Sequence, residues 1–239
     1  MATAPATLDH RLWFPDPRTA LRDGHLDGLG AVGGDLRSER LALAYRCGFF
    51  PWTVRPITWW SPDPRAVFEL GQLHRSRSLE RTLRRQPFRL TRNRAFRSVI
   101  EACASIPRPG RWIVPEFIEA YSLLHQHGHA HSVECWLDDH LVGGIYGVAV
   151  GGLFAGESMF HRASDASKVA VVALHDHLVE QGFALFDIQM ITPATAALGA
   201  REISRDEYLR RLSRAVALPC RFETTPVHES SGGTISASP

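Results

Sequence analysis

Apolar and polar positions along the chain fall into two regimes. Up to about residue 63 they show little regular period, and Phe14-Pro15-Asp16-Pro17, Gly33-Gly34 and Ser61-Pro62-Asp63-Pro64 cut the segment into loops. One helix stands out there. It starts near Ser38, places Leu41, Ala44 and Tyr45 on one side and stops at Gly48, a natural C-terminal cap. The turn at Ser61–Pro64 predicts a boundary, with a small lobe over residues 1–63 and a larger domain over 64–225.

Beyond that boundary the pattern alternates cleanly. A short helix opens at Ser78 and must end before Pro87, because proline has no amide hydrogen and disfavours helix in the residue before it. An extended piece over 88–91 leads to a helix predicted to be capped by Asn93, with Phe96, Val99, Ile100 and Cys103 at the i, i+3, i+4, i+7 spacing. Another helix opens at Pro115 and closes at Gly128, burying Ile118, Tyr121 and Leu124. Strands follow over 131–137, 141–150 and 153–160, joined by Asp138-Asp139 and Gly151-Gly152, turns of hairpin type. A long helix over 165–181, capped by Gly182, feeds an apolar strand over 183–189. The last helix carries Ser204 with Glu207 three residues later, the pattern of a capping box. The Ser-, Gly- and Thr-rich tail over 226–239 predicts disorder. Antiparallel strands, a helix and one more strand predict an α+β chain: a small N-terminal α/β lobe followed by an acyltransferase-like, GNAT-type ββαβ domain.

Composition agrees with an ordinary globular chain of 239 residues: 44% of them are apolar and 22% charged, and no apolar run approaches the length that spans a bilayer. The first ten residues lack the basic and apolar regions of a secretion signal, so a cytoplasmic location is expected. Cysteines 47, 103, 135 and 220 stand apart from one another and read as reduced thiols. Charge changes the picture more. Between Arg65 and Arg111 lie twelve arginines and three glutamates, so this stretch is strongly cationic inside a chain whose net charge is only +2. Such a two-sided distribution suits a polyanionic partner, although an arginine-rich solvated face accounts for it too.

Several chemistries can be weighed on these residues. A coenzyme A-dependent acyltransferase needs a glycine-rich loop whose amides grip pyrophosphate at the start of the long helix. Residues 160–168, Phe-His-Arg-Ala-Ser-Asp-Ala-Ser-Lys, contain no glycine and bring an aspartate there, so no cofactor is expected. Gly156-Glu157-Ser158-Met159-Phe160 lacks the second glycine of a nucleophile elbow and lies on a strand of the meander. The alternating His125, His127, His129 and His131 have no carboxylate or cysteine nearby in sequence, so no metal is expected. Glu157 and Asp187 are more telling, because each sits in an otherwise apolar strand where an unpaired carboxylate is costly. In strict alternation Asp187 and Gln189 share a face. Trp52, Trp59, Trp60, Trp112 and Tyr121 are core or stacking residues, and Lys168 is the chain's one lysine.

The motifs Phe50-Pro51-Trp52, Trp59-Trp60-Ser61-Pro62-Asp63-Pro64-Arg65, Ser76-Arg77-Ser78, Gly110-x-Trp112-Ile113, His129 to Glu134, Leu141-Val142-Gly143-Gly144-x-Tyr146-Gly147, Gly156 to Phe160, Ser167-Lys168 and Leu198-Gly199-Ala200 occur in order. Together they resemble the leucyl/phenylalanyl-tRNA–protein transferases over roughly residues 12–212. The resemblance implies transfer of leucine or phenylalanine from its tRNA to a protein that begins with arginine or lysine, marking it for degradation in bacteria, without coenzyme A or metal. The ranking among leucine, phenylalanine and methionine stays open, and a monomer is expected. It also implies roles. Asp187 polarises Gln189, whose amide oxygen accepts hydrogen from the attacking amine, and Glu157 binds the cationic end of the acceptor. Trp52, Trp112 and Tyr121 handle the terminal adenosine, Ile145, Phe154, Val171, Leu174 and Phe186 line the hole for the leucyl side chain, and Arg75, Arg77, Arg81, Arg84, Arg85 and Lys168 meet tRNA phosphates. Where the family commonly shows histidine and then serine before Leu-Gly-Ala, this chain has Ala194 and Ala197. A coenzyme A-dependent N-acetyltransferase and a non-catalytic RNA-binding module are the alternatives.

Overall fold

The computed structural model describes residues 4–107 and 112–222. The tail beyond 226, and with it the expectation of disorder, lies outside the described residues, as do Arg108, Gly110 and Arg111. Two sheets organise the chain. The first has the order β1-β2-β4-β3, from β1 (Ala6–Leu8), β2 (Leu29–Gly33), β3 (Phe50–Val54) and β4 (Ile57–Trp60), with helix α1 (Ser38–Cys47) between β2 and β3. These strands escape the hydrophobic pattern because they are three to five residues long and interrupted by Gly30, Gly33 and Pro51. The α1 reading holds, and Gly48 takes φ 92° as its cap.

The second sheet has the order β11-β5-β10-β9-β8-β7-β6. Its strands are β5 (Arg65–Phe68), β6 (Arg89–Arg92), β7 (Ala130–Leu137), β8 (His140–Val150), β9 (Leu153–His161), β10 (Leu185–Gln189) and β11 (Arg201–Ile203). The meander β7-β8-β9 is antiparallel, and α5 (Ala166–Glu180) carries the chain over to β10, which lies parallel to β9. This is the expected ββαβ arrangement. Alternation along the strands sends side chains to both faces. Leu153, Ala155 and Leu185 join one core with α1, α3 (Phe96–Ser105), α4 (Pro115–Gln126) and α7 (Arg205–Ala215), while Phe154, Phe186 and Ile145 join a second with α2 (Arg77–Arg85) and α5. A sheet covered on both faces explains why the strands read as nearly continuous apolar runs.

Local details correct the sequence reading. Asn93 does not cap α3. It adopts a left-handed φ of 57° and its side chain accepts from the Ser132 amide at 3.1 Å, while the helix starts at Phe96. The α3 entrance is met instead by Glu134, which accepts from the Ala95 amide at 3.5 Å and from Ser132 Oγ at 2.6 Å. On α4 it is Phe117 that is buried, with Ile118 only half-buried. Strand β10 begins at Leu185 rather than Phe183. Ser204 accepts from the Glu207 amide at 3.2 Å, but the Glu207 carboxylate turns to Arg210 and Arg211, so only half of the capping box forms.

Helix α5 approaches β8 closely because Gly143 has no side chain. A Cβ there would lie 2.5 Å from Ala166 Cβ and 3.1 Å from the Ser167 nitrogen. Gly143→Ala therefore forces the start of α5 off the sheet, and a destabilisation of roughly 1–3 kcal/mol is expected in urea denaturation, as for other overpacked interiors.

Candidate active site

Three β-bulges converge on one cleft. Opposite a regular β4, strand β3 carries Trp52 as an extra residue between the Pro51 and Thr53 pairings. Strand β9 carries Glu157 as an extra residue between Gly156 and Ser158, and β10 carries Ile188 between Asp187 and Gln189. A bulge re-aims side chains that a regular ladder would lock into alternation. Trp52, Glu157 and Ile188 accordingly line the same cleft of about 160 Å³, together with Phe50, Pro51, Trp112, Gln189, Met190 and Thr192. The parallel pairing of β9 with β10 ends at Ala155 and Asp187. Beyond that point the gap between the strands is bridged by side chains, with Gln189 Nε2 donating to Glu157 Oε1 at 2.9 Å.

Behind Glu157 stand two tyrosines. Tyr121 of α4 donates to Glu157 Oε2 at 3.2 Å, and its hydroxyl lies 2.5 Å from that of Tyr45 on α1. Both rings are fully buried, so Tyr121 supports the carboxylate from behind rather than forming cleft wall. From its place on the apolar stripe of α1, Tyr45 reads in the sequence as a core residue. Burial pushes the Glu157 carboxyl up to about 7, and Asp187 pushes in the same direction, while the Tyr45 and Tyr121 hydroxyls and Arg65 pull it down.

Asp187 sits differently from the expected relay. The bulge at Ile188 and a left-handed φ of 58° at Gln189 break the alternation that would put residues 187 and 189 on one face. Asp187 Oδ1 accepts from the Gln189 backbone amide at 2.9 Å and from Arg65 Nε at 2.9 Å; Oδ2 accepts from Arg65 Nη2 at 2.6 Å and from the Tyr208 hydroxyl at 3.0 Å. No contact joins its carboxylate to the side-chain amide of Gln189 among the described residues. Arg65, the first arginine of the cationic stretch, is therefore fully buried and paired.

Ile145, Phe154, Val171, Leu174 and Phe186 do come together, as one buried cluster beneath Gly156. None of the five is among the residues lining the open cleft. Away from the cleft lining, Arg77, Arg81, Arg84 and Arg85 of α2 are exposed and make no ion pair among the described residues. Arg75 is held by both oxygens of Asp176 at 2.6 and 2.8 Å, and Lys168 by Asp165 at 3.2 Å, so these two are less free than the α2 arginines. Ala194 lies on α6 (Pro193–Ala196) and Ala197 ends it, close behind the cleft residue Thr192.

Comparison with known proteins decides the family. The profile described as leucyl/phenylalanyl-tRNA protein transferase matches residues 67–213, and the profile of that family's N-terminal domain matches residues 34–63. The chain belongs to the leucyl/phenylalanyl-tRNA–protein transferase family. A curated relative of that name from Shewanella sp. (strain W3-18-1) is 50% identical over 84% of this chain and 86% of its own length, and one from Escherichia coli O1:K1 / APEC is 51% identical over 89% and 92%. Among solved structures, L-PGS from Bacillus licheniformis overlays with a TM-score of 0.39 at 16% identity, covering 69% of this chain and 54% of that one. The protein is thus an aminoacyltransferase by family, and among its described residues no helix is long and apolar enough to cross a membrane.

The raised Glu157 value has a thermodynamic sign. A carboxyl that holds its proton more tightly when folded than at its ordinary value of 4.5 contributes stability that is fully present below pH 4.5 and is lost as pH rises through about 7. Denaturation midpoints at pH 5 and pH 8 should therefore differ less in Glu157→Gln than in the wild type; equal differences in the two proteins would place the Glu157 titration elsewhere.

Proposed function

We propose that the chain transfers leucine or phenylalanine from aminoacyl-tRNA to the N-terminal amine of a protein beginning with arginine or lysine, as a cytoplasmic monomer. The observation that carries this reading is the Glu157–Gln189 bridge at the parted ends of β9 and β10, facing a cleft framed by Trp52 and Trp112. The reaction is aminolysis of an activated ester. A carbon–nitrogen bond forms as the ester carbon–oxygen bond breaks, the amine gives up a proton, and the ribose oxygen gains one. An α-amino group with a reference pKa of about 7.7–8.0 is partly neutral near pH 7, so positioning and a hydrogen-bond acceptor suffice.

The side chains suit those tasks. With its amide nitrogen committed to Glu157, Gln189 has its carbonyl oxygen left to accept hydrogen from the attacking amine. Glu157 offers a carboxylate to the cationic side chain of the acceptor through a charge-assisted hydrogen bond. Trp52 and Trp112 present aromatic surface for the terminal adenosine. The leucyl side chain is assigned to the buried cluster around Phe186 beneath Gly156, which has to open to receive it. An acetyltransferase is disfavoured by the start of α5, where Asp165 adopts φ 63°, accepts from Thr82 Oγ1 and Lys168, and puts a carboxylate where pyrophosphate would sit.

Two experiments test the reading. Radiolabelled leucyl-tRNA incubated with an Arg-starting peptide should pass label to the peptide, and acetyl-coenzyme A should not acetylate it; label retained on the tRNA refutes the proposal. The exposed arginines of α2 are assigned to tRNA phosphates. Replacing Arg77, Arg81, Arg84 and Arg85 with alanine should lower the log–log salt slope of tRNA binding by roughly 0.7–0.9 for every phosphate no longer neutralised, while transfer from a short aminoacyl-adenosine analogue is spared. Equal losses with tRNA and analogue would make the patch structural.

A further inference from the structure

Gln189 can face Glu157 only because its backbone is held in a left-handed turn that a non-glycine residue rarely adopts. Two hydrogen-bonded groups hold it: its amide donates to Asp187, and Asp187 is clamped by Arg65. Neither ion is exposed to solvent. The guanidinium also reaches outward in two other directions. It lies between the rings of Phe50 and Tyr208, 4.8 and 4.4 Å from their centroids, and Nη1 donates to the Gly48 carbonyl at 3.3 Å. Phe50 lines the cleft from β3, whereas Gln189 lines it from β10. One buried cation therefore touches the supports of both walls.

We propose that Arg65 and Asp187 act as a positioning pair, with Tyr208 as its third member, fixing the Gln189 turn against Glu157 and the Phe50 wall opposite it. Both Asp187 oxygens are already engaged by two donors each, which leaves the carboxylate no spare capacity for substrate. Its service to the reaction is to hold a geometry. This inference rests on the functional reading above, since the geometry being held is that of the aminolysis site.

The test uses the full chain, leucyl-tRNA and an Arg-starting peptide. Arg65→Lys keeps the charge but loses the planar fork that binds a carboxylate through two bonds. Its kcat should fall by about 10²-fold, the order of loss that a misplacement of about 1 Å brings, with tRNA affinity and peptide KM nearly unchanged. Charge-changing variants give a signed readout. The groups that set the Glu157 titration are Tyr45, Tyr121, Asp187 and Arg65, of which Asp187 raises it and Arg65 lowers it. The pH midpoint of kcat should therefore move down in Asp187→Asn, move up in Arg65→Gln, and stay in place in Arg65→Lys; simple loss of folded protein moves none of them. Tyr208→Phe removes one hydroxyl and decides the matter if the Arg65 variants do not fold, a drop in kcat at native melting temperature supporting the pair. Wild-type kcat in Arg65→Lys or in Tyr208→Phe overturns it. A wild-type chain that transfers no label is a different result, which overturns the functional reading and takes the pair with it.

Discussion

A guanidinium and a carboxylate, both out of reach of water, meet at 2.6 Å between Arg65 at the start of β5 and Asp187 on β10. Moving either ion alone into such an interior costs several kcal/mol, and their attraction offsets this only when the geometry is good and the remaining donors and acceptors are used. Here they are used. Tyr208 from α7, the Gln189 amide and the Gly48 carbonyl complete the set, so the pair ties together the loop after α1, the neighbouring strands β5 and β10 and the last helix. Removing one partner leaves an uncompensated buried charge, typically a loss of about 3–5 kcal/mol. The bulge, the turn at Gln189 and the wall at Phe50 all depend on that compensation.

How much of this is legible in the sequence depends on whether the local pattern carries the information. Helices α1, α4 and α5 and the β7-β8-β9 meander announce themselves through period, caps and paired turn residues. The first sheet does not, because strands as short as Ala6–Leu8 cannot be told from loop and because Pro51 sits within β3. In the site, Glu157, Gln189, Trp52 and Trp112 are conspicuous as polar or aromatic residues in unusual settings. What the sequence hides is the bulge. Alternation puts residues 187 and 189 on one face, and one extra residue at Ile188 is enough to cancel that inference. Arg65 is hidden for a different reason: twelve arginines in one stretch look alike until burial separates one that is structural from four that are free.

The cationic face and the cleft belong to different physical regimes. On α2 the charges stand in water, where their attraction for phosphate is long-ranged and screened by salt. At the cleft, desolvation sets the behaviour of Glu157, and salt reaches it little. None of the α2 arginines lines the cleft, so the proposed phosphate contacts and the proposed chemistry fall to separate residues, and α2 is tied to the head of α5 by Thr82 Oγ1 donating to Asp165 at 3.1 Å.

The extra residue in β9 also bears on how such a site can be lost. Glu157 faces the cleft because two residues of β9 stand opposite one step of β8. Shortening β9 by a single residue next to Glu157 would let the ladder close regularly and rotate the carboxylate toward the other face of the sheet, leaving every other residue type in place. A reading-frame-preserving deletion of one codon therefore removes the Glu157–Gln189 bridge as surely as a substitution of Glu157, and a related chain that keeps Glu157, Gln189 and both tryptophans but has lost one position from β9 would be a folded protein without that bridge.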